Sequence, residues 1–127
     1  MKKRFFNSDE APAPVGWYSQ ALEATDIRRL VFVSGQIPVS VDGQVPHGFG
    51  AQCRLAWANV SAQLRAADMT MENVVKITTY LSDRSYGQEN RDIRREVFGD
   101  LAPASTVIIT GIFDEKWLLE IEAIAVG

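Results

Sequence analysis

The sequence predicts an α+β protein: a two-layer sandwich in which two helices cover one face of a sheet. Three observations carry that expectation. The apolar pattern is strand-like before residue 38 and turns to a three- or four-residue period from Phe49. The remaining segments follow in the order β-β-α-β-α-β-β, with one further N-terminal strand allowed for. The last two strands are apolar on both alternating faces, and two helices can cover only one face of five or six strands.

Residues 17–22 and 29–37 read as strands, the second rich in β-branched and aromatic residues. Asp42-Gly43 is a turn signal, and Val39, Val41 and Val45 around it indicate a hairpin or loop excursion. Phe49, Cys53, Ala56, Val60, Leu64 and Ala67 then form a helical stripe ending near Asp68, with Gln52, Asn59, Gln63 and Arg65 mostly off it. A strand is expected over 73–81. A second helix follows over 86–98, buried along Tyr86, Asn90, Ile93 and Val97 and stopped by Gly99. Strands over 106–112 and 118–126 complete the chain. Their two-faced apolarity predicts that a second copy of the chain covers the open face; an exposed patch of that kind in a monomer would aggregate.

The 127 residues fit one domain, 1–127, and are 46% hydrophobic and 23% charged. A net charge of −3 disfavours a nucleic-acid partner. Lys2-Lys3-Arg4 and Arg91, Arg94 and Arg95 read as solvated surface. One cysteine, Cys53, excludes an intrachain disulfide and fits a reducing compartment. Its place on the helical stripe makes it a small buried hydrophobe. The basic start breaks off at Asn7-Ser8-Asp9-Glu10 before an apolar signal core, and no run approaches the roughly 18 residues of a membrane span. A cytoplasmic protein with no membrane partner is expected. Asn59-Val60-Ser61 falls inside a predicted helix and is read as a chance glycosylation triplet.

No phosphate loop, dinucleotide fingerprint or nucleophile elbow is present. The single histidine, His47, and the unclustered carboxylates argue against a metal site. What remains is a polar set at strand and helix ends: Tyr18, Ser34, Gly35, Asn90, Ser105, Thr106 and Glu120. Glu120 lies in an otherwise buried strand. It stands either at a rim or in a pocket, where it would handle a proton.

Several segments occur in an ordered set over nearly the whole chain. They are Ala13-Pro14-Val15-Gly16-Trp17-Tyr18-Ser19-Gln20-Ala21, Val31-Phe32-Val33-Ser34-Gly35-Gln36-Ile37-Pro38, Gln52-Cys53-Arg54 with Asn59-Val60, and Val74-Val75-Lys76-Ile77-Thr78-Thr79-Tyr80-Leu81. Asn90, Pro103-Ala104 and Glu120-Ile121-Glu122-Ala123-Ile124-Ala125-Val126 complete it. With them the chain resembles the YjgF/RidA family, the reactive-intermediate deaminases. The resemblance implies a chorismate-mutase-like fold with a mixed six-stranded sheet, and a homotrimer with three ligand clefts between subunits. It also implies hydrolysis of enamines and imines such as 2-aminoacrylate to a keto acid and ammonia, with no cofactor.

In that comparison Tyr18 walls the cleft, Ser34 and Gly35 shape it, and Asn90 supports it. Glu120 holds or activates the attacking water, while Ser105 and Thr106 fall in the substrate-binding stretch. Ser105 departs from the family pattern, which has an arginine there to clamp the substrate carboxylate. A serine hydroxyl cannot make that bidentate contact. Arg54, Arg84, Arg94 or Lys116 of a neighbouring subunit are candidates to replace it. Trp17 also departs from the pattern and reads as packing, with a more aromatic cleft as the alternative, and the stretch Phe113-Asp114-Glu115-Lys116-Trp117 implies an altered rim. Two functions stay open: a divergent imine or enamine deaminase or related hydrolase, and a non-catalytic ligand-sensing trimer. A ribonuclease role is disfavoured by the acidic balance.

Overall fold

The computed structural model describes residues 1–127. Six strands and two α-helices follow in the order β1 (Lys2–Phe6), β2 (Ala21–Thr25), β3 (Leu30–Gln36), α1 (Phe49–Ala66), β4 (Val74–Leu81), α2 (Gly87–Phe98), β5 (Ala104–Ile109) and β6 (Leu119–Val126). The α+β architecture and the extra N-terminal strand agree with the reading of the sequence. The single six-stranded sheet does not. The strands divide into a two-stranded antiparallel ribbon, β1-β2, and a four-stranded mixed sheet in the order β3-β6-β4-β5.

The reason for the division lies in residues 17–20. Trp17 stacks on the Arg95 guanidinium at 3.7 Å, and Tyr18 turns toward Arg94. Docked on α2 in this way, the segment bends instead of continuing a ladder. It keeps one parallel bridge, between Ser19 and Ala104. The Ser19 N–H donates to the Pro103 carbonyl at 3.3 Å, and its hydroxyl donates to the Ala102 carbonyl at 2.7 Å. The strand expected over 17–22 therefore starts at Ala21.

The strand expected over 106–112 is also displaced, to Ala104–Ile109. It pairs in parallel with Lys76–Leu81, and after the Thr110 N–H reaches the Leu81 carbonyl no partner strand remains. The segment around Asp42-Gly43 is a loop, closed by the Gly43 N–H on the Ser40 carbonyl. Asn59, expected off the buried stripe of α1, pins this loop by donating to the carbonyls of Ile37 and Val39.

One face of the four-stranded sheet is covered by the helices. Val33, Ile77, Leu81, Leu119, Ile121 and Ala123 pack there against Cys53, Ala56, Val60 and Leu64 of α1 and Ile93 and Phe98 of α2. Trp57 meets Phe98 edge-on, with ring centres 5.2 Å apart, and joins the two helices. Gln52, also expected off the stripe, is buried. Its amide donates to the carbonyls of Pro46 and Lys116 and accepts from the Leu118 N–H. Gly99, at φ 57°, ends α2 in a conformation open to glycine and returns its N–H to the Arg95 carbonyl. The other face of the sheet is open, with Phe32 71% exposed. No helix is long and apolar enough to cross a membrane.

Candidate functional site

A cavity of about 270 Å³ opens where the bent N-terminal segment, the first turns of α2 and the start of β5 meet. Tyr18, Asn90, Arg91, Arg94 and Ser105 supply its polar walls, with Val15 and Val107 beside them. The parallel register of β4 and β5 puts Ser105 opposite Ile77, whose side chain is buried under the helices, so Ser105 faces α2. Asn90 and Arg94 are one helical turn apart and reach the same wall. The Val15 N–H donates to Tyr18 Oη at 3.3 Å, which sets the phenol at the mouth.

Arg94 is the unexpected member. The sequence places it with Arg91 and Arg95 on a solvated surface and also among four groups of a neighbouring subunit that could replace the clamp. In the structure only 4% of it is exposed, and it reaches the cavity of its own chain. Its Nη1 donates to Ser105 Oγ at 3.3 Å, and its guanidinium carbon lies 5.7 Å from the centre of the Tyr18 ring. Burial pulls its pKa below the ordinary arginine value. The opposite charge available on Tyr18 acts against this shift, and the like charge of Arg91 adds to it. Two polar atoms at this wall are buried without a hydrogen-bond partner, Arg94 Nε and Asn90 Oδ1. What singles out Arg94 among the candidate replacements is its spacing from Asn90, which places both on one stripe with Ile93 and Phe98.

A second group forms between β3 and β6. The ladder carries one extra residue in β3 between the pairs Val33–Ala123 and Gln36–Ile121, so Ser34 and Gly35 sit in a bulge. The Ser34 carbonyl accepts from the Gln36 side chain. Gly35 lies directly beneath Glu120, and a Cβ at residue 35 would stand 1.9 Å from Glu120 Oε2. Only glycine permits that approach. Glu120 and Glu122 point to the same face, as their spacing implied, but they differ in engagement. Tyr80 donates to Glu122 at 2.8 Å, and this carboxylate raises the Tyr80 pKa. Glu120 enters no ion pair and faces a separate cavity of about 320 Å³, beside Tyr80, Thr110 and Phe113.

The candidate residues therefore fall into groups. Tyr18, Asn90 and Ser105 come together, as do Gly35 and Glu120. Ser34 and Thr106 are on the open face of the sheet, where the Lys76 ammonium donates to the Thr106 hydroxyl. Trp17 packs on α2 and does not line the first cavity. Phe113 is 95% exposed at the rim beside Glu120. Cys53 is fully buried, and burial pushes its thiol up to about 12, so it is no nucleophile near neutral pH. No three His, Cys, Asp or Glu side chains converge as a metal site requires.

The fold is thus α+β, a mixed sheet under two helices, with an arginine-lined cavity at one edge and a carboxylate in no ion pair over a bulge. The family model for Endoribonuclease L-PSP matches residues 8–127, and the chain belongs to that family, the group also known as YjgF/RidA. A RutC family protein of Pyrococcus horikoshii is 35% identical over 127 residues, 98% of each chain. A 2-iminobutanoate/2-iminopropanoate deaminase of Capra hircus is 32% identical, over 99% of this chain and 91% of its own length. Among solved structures, Escherichia coli TdcF with bound serine superposes with a TM-score of 0.74 at 28% identity, covering 98% of both chains.

Proposed function

We propose that this protein is a divergent imine deaminase of the Rid family, hydrolysing small 2-imino acids in clefts shared between subunits of a homotrimer. The observation that carries the reading is the pairing of Gly35 with Glu120, a carboxylate without an ion pair held over a backbone bulge. The name of the Capra hircus relative supplies the substrate class, and serine bound to TdcF is consistent with an amino-acid-sized ligand.

An imine carbon is already electrophilic, so the protein needs to place a water and move protons. Glu120 accepts a proton from the water as its oxygen bonds to the imine carbon, the C=N electron pair passes to nitrogen, and Glu120 hands that proton to the nitrogen. In the resulting carbinolamine the hydroxyl proton passes through Glu120 to the amino nitrogen as the C–N bond breaks, leaving the keto acid, ammonia and the carboxylate. General-base assistance of this kind contributes about 10²–10⁴-fold.

In one chain, the walls of the cavity at Ser105 do not include Glu120, Gly35, Ser34 or Thr106. A complete cleft would bring Tyr18, Asn90 and Ser105 of one subunit to Ser34, Gly35, Thr106 and Glu120 of another. The open, partly apolar sheet face bearing Phe32 is the surface available for that assembly. The same separation supports a second reading, a ligand-sensing trimer, because the cavity at Ser105 can hold a ligand with no proton-handling group in it.

Ammonia release from imines generated in situ by an amino-acid oxidase distinguishes the two. The enzyme reading expects release above the spontaneous rate and its loss in Glu120→Gln. Ligand binding with no acceleration on any imine would favour the sensor.

A further inference from the structure

The arginine pair on α2 goes beyond these roles. We infer that Arg94, reaching the cavity from α2, is the residue that recognises a ligand carboxylate in this protein, with Arg91 as a second cation and Asn90 as an acceptor for an adjacent N–H. The inference takes its location from the proposed small-molecule cleft, while its chemistry stands on four features of the chain.

An almost fully buried guanidinium is costly unless a counter-charge satisfies it, and the chain supplies none. Its three ion pairs use Arg4, Arg54 and Arg95. The carboxylates of α2 are also turned elsewhere. Glu96 pairs with Arg54, Asp92 accepts from Gln88, and Glu89 lies against Gly50 of α1.

The unpartnered atoms add direction. Arg94 Nε is a donor without an acceptor and Asn90 Oδ1 is an acceptor without a donor, both buried and one helical turn apart. A carboxylate carrying a neighbouring imino or amino group satisfies both. Arg91, exposed and in no ion pair, adds a second positive charge at the mouth.

Ser105 has a defined part in this arrangement. Its hydroxyl holds Nη1 and leaves Nε free, so the small side chain makes room for a guanidinium arriving from the helix. An arginine at 105 would bring a second positive group onto Arg94. One guanidinium fits this wall, and here it comes from α2 of the same chain.

Calorimetric titration of the full-length protein with 2-oxobutanoate and with 2-oxobutanamide isolates the carboxylate. The wild type is expected to bind the acid about 10–100-fold more tightly than the amide, the range for a hydrogen bond to a charged group. Arg94→Gln should remove most of the preference, weakening binding of the acid much more than binding of the amide. The double change Arg94→Ser with Ser105→Arg should restore it. Arg91→Gln alters an exposed side chain, so it should keep the fold and reduce the preference severalfold.

Equal binding of acid and amide by the wild type overturns the inference, as does a preference unchanged in Arg94→Gln. Should Arg94→Gln not fold, an unchanged preference in Arg91→Gln overturns it instead. A wild type that prefers the acid but turns over no imine contradicts the deaminase reading and upholds the carboxylate site. Turnover without acid preference does the reverse.

Discussion

At the scale of single residues, the site depends on two steric exchanges. A small side chain at 105 admits Arg94, and the absent side chain at 35 admits Glu120. The second exchange gives a sharp expectation. In Gly35→Ala the new Cβ would stand 1.9 Å from the Glu120 carboxylate, so Glu120 must swing away. Imine-dependent ammonia release should then fall nearly as far as in Glu120→Gln, while circular dichroism and the urea midpoint stay close to wild type. Unchanged activity in Gly35→Ala would show that the position of Glu120 is not critical. Gly35 and Glu120 were legible because a glycine in a strand and a carboxylate in an apolar strand are both local anomalies. Arg94 was legible only as one of four candidate replacements for the clamp, because charge reads as surface and nothing but its helical phase beside Asn90 set it apart from the other three.

At the scale of elements, the helices and the four-stranded sheet followed from periodicity, which records the buried face directly. Periodicity records nothing about a polar residue buried to satisfy backbone groups. Gln52 is such a residue, joining α1 to the loops before it and before β6 through three hydrogen bonds. Gln52→Ala removes the partner of the Pro46 and Lys116 carbonyls and of the Leu118 N–H and should cost about 0.5–1.5 kcal/mol per hydrogen bond. That cost would appear as a lower urea midpoint at unchanged slope; a midpoint equal to wild type would contradict the tie. The strand expected over 17–22 failed for a related reason. Trp17 and Tyr18 have strand propensity, but their contacts with Arg95 and Arg94 on α2 bend the chain there. A sequence window does not contain those long-range partners, and the same bend keeps the N-terminal ribbon out of the main sheet.

At the scale of the whole molecule, the account requires assembly. Phe32 is 71% exposed in one chain, and Val107, Ile108 and Ile109 are each more than a third exposed, so apolar surface is left uncovered. Burying it is favourable by about 25 cal/mol per Å². The proposed homotrimer predicts sedimentation at about three times the 14.1 kDa chain mass. Phe32→Asp should yield a folded monomer that releases no ammonia but still prefers 2-oxobutanoate to its amide, because Arg94, Asn90 and Ser105 belong to one chain. A wild type that sediments as an active monomer would remove the shared cleft. The most direct measurement of the central claim is ammonia release from 2-iminobutanoate formed in situ, comparing wild type with Glu120→Gln. The account predicts acceleration over the spontaneous rate by the wild type and a loss of about 10²–10⁴-fold in the variant. No acceleration by the wild type, or equal rates for the two proteins, would contradict it.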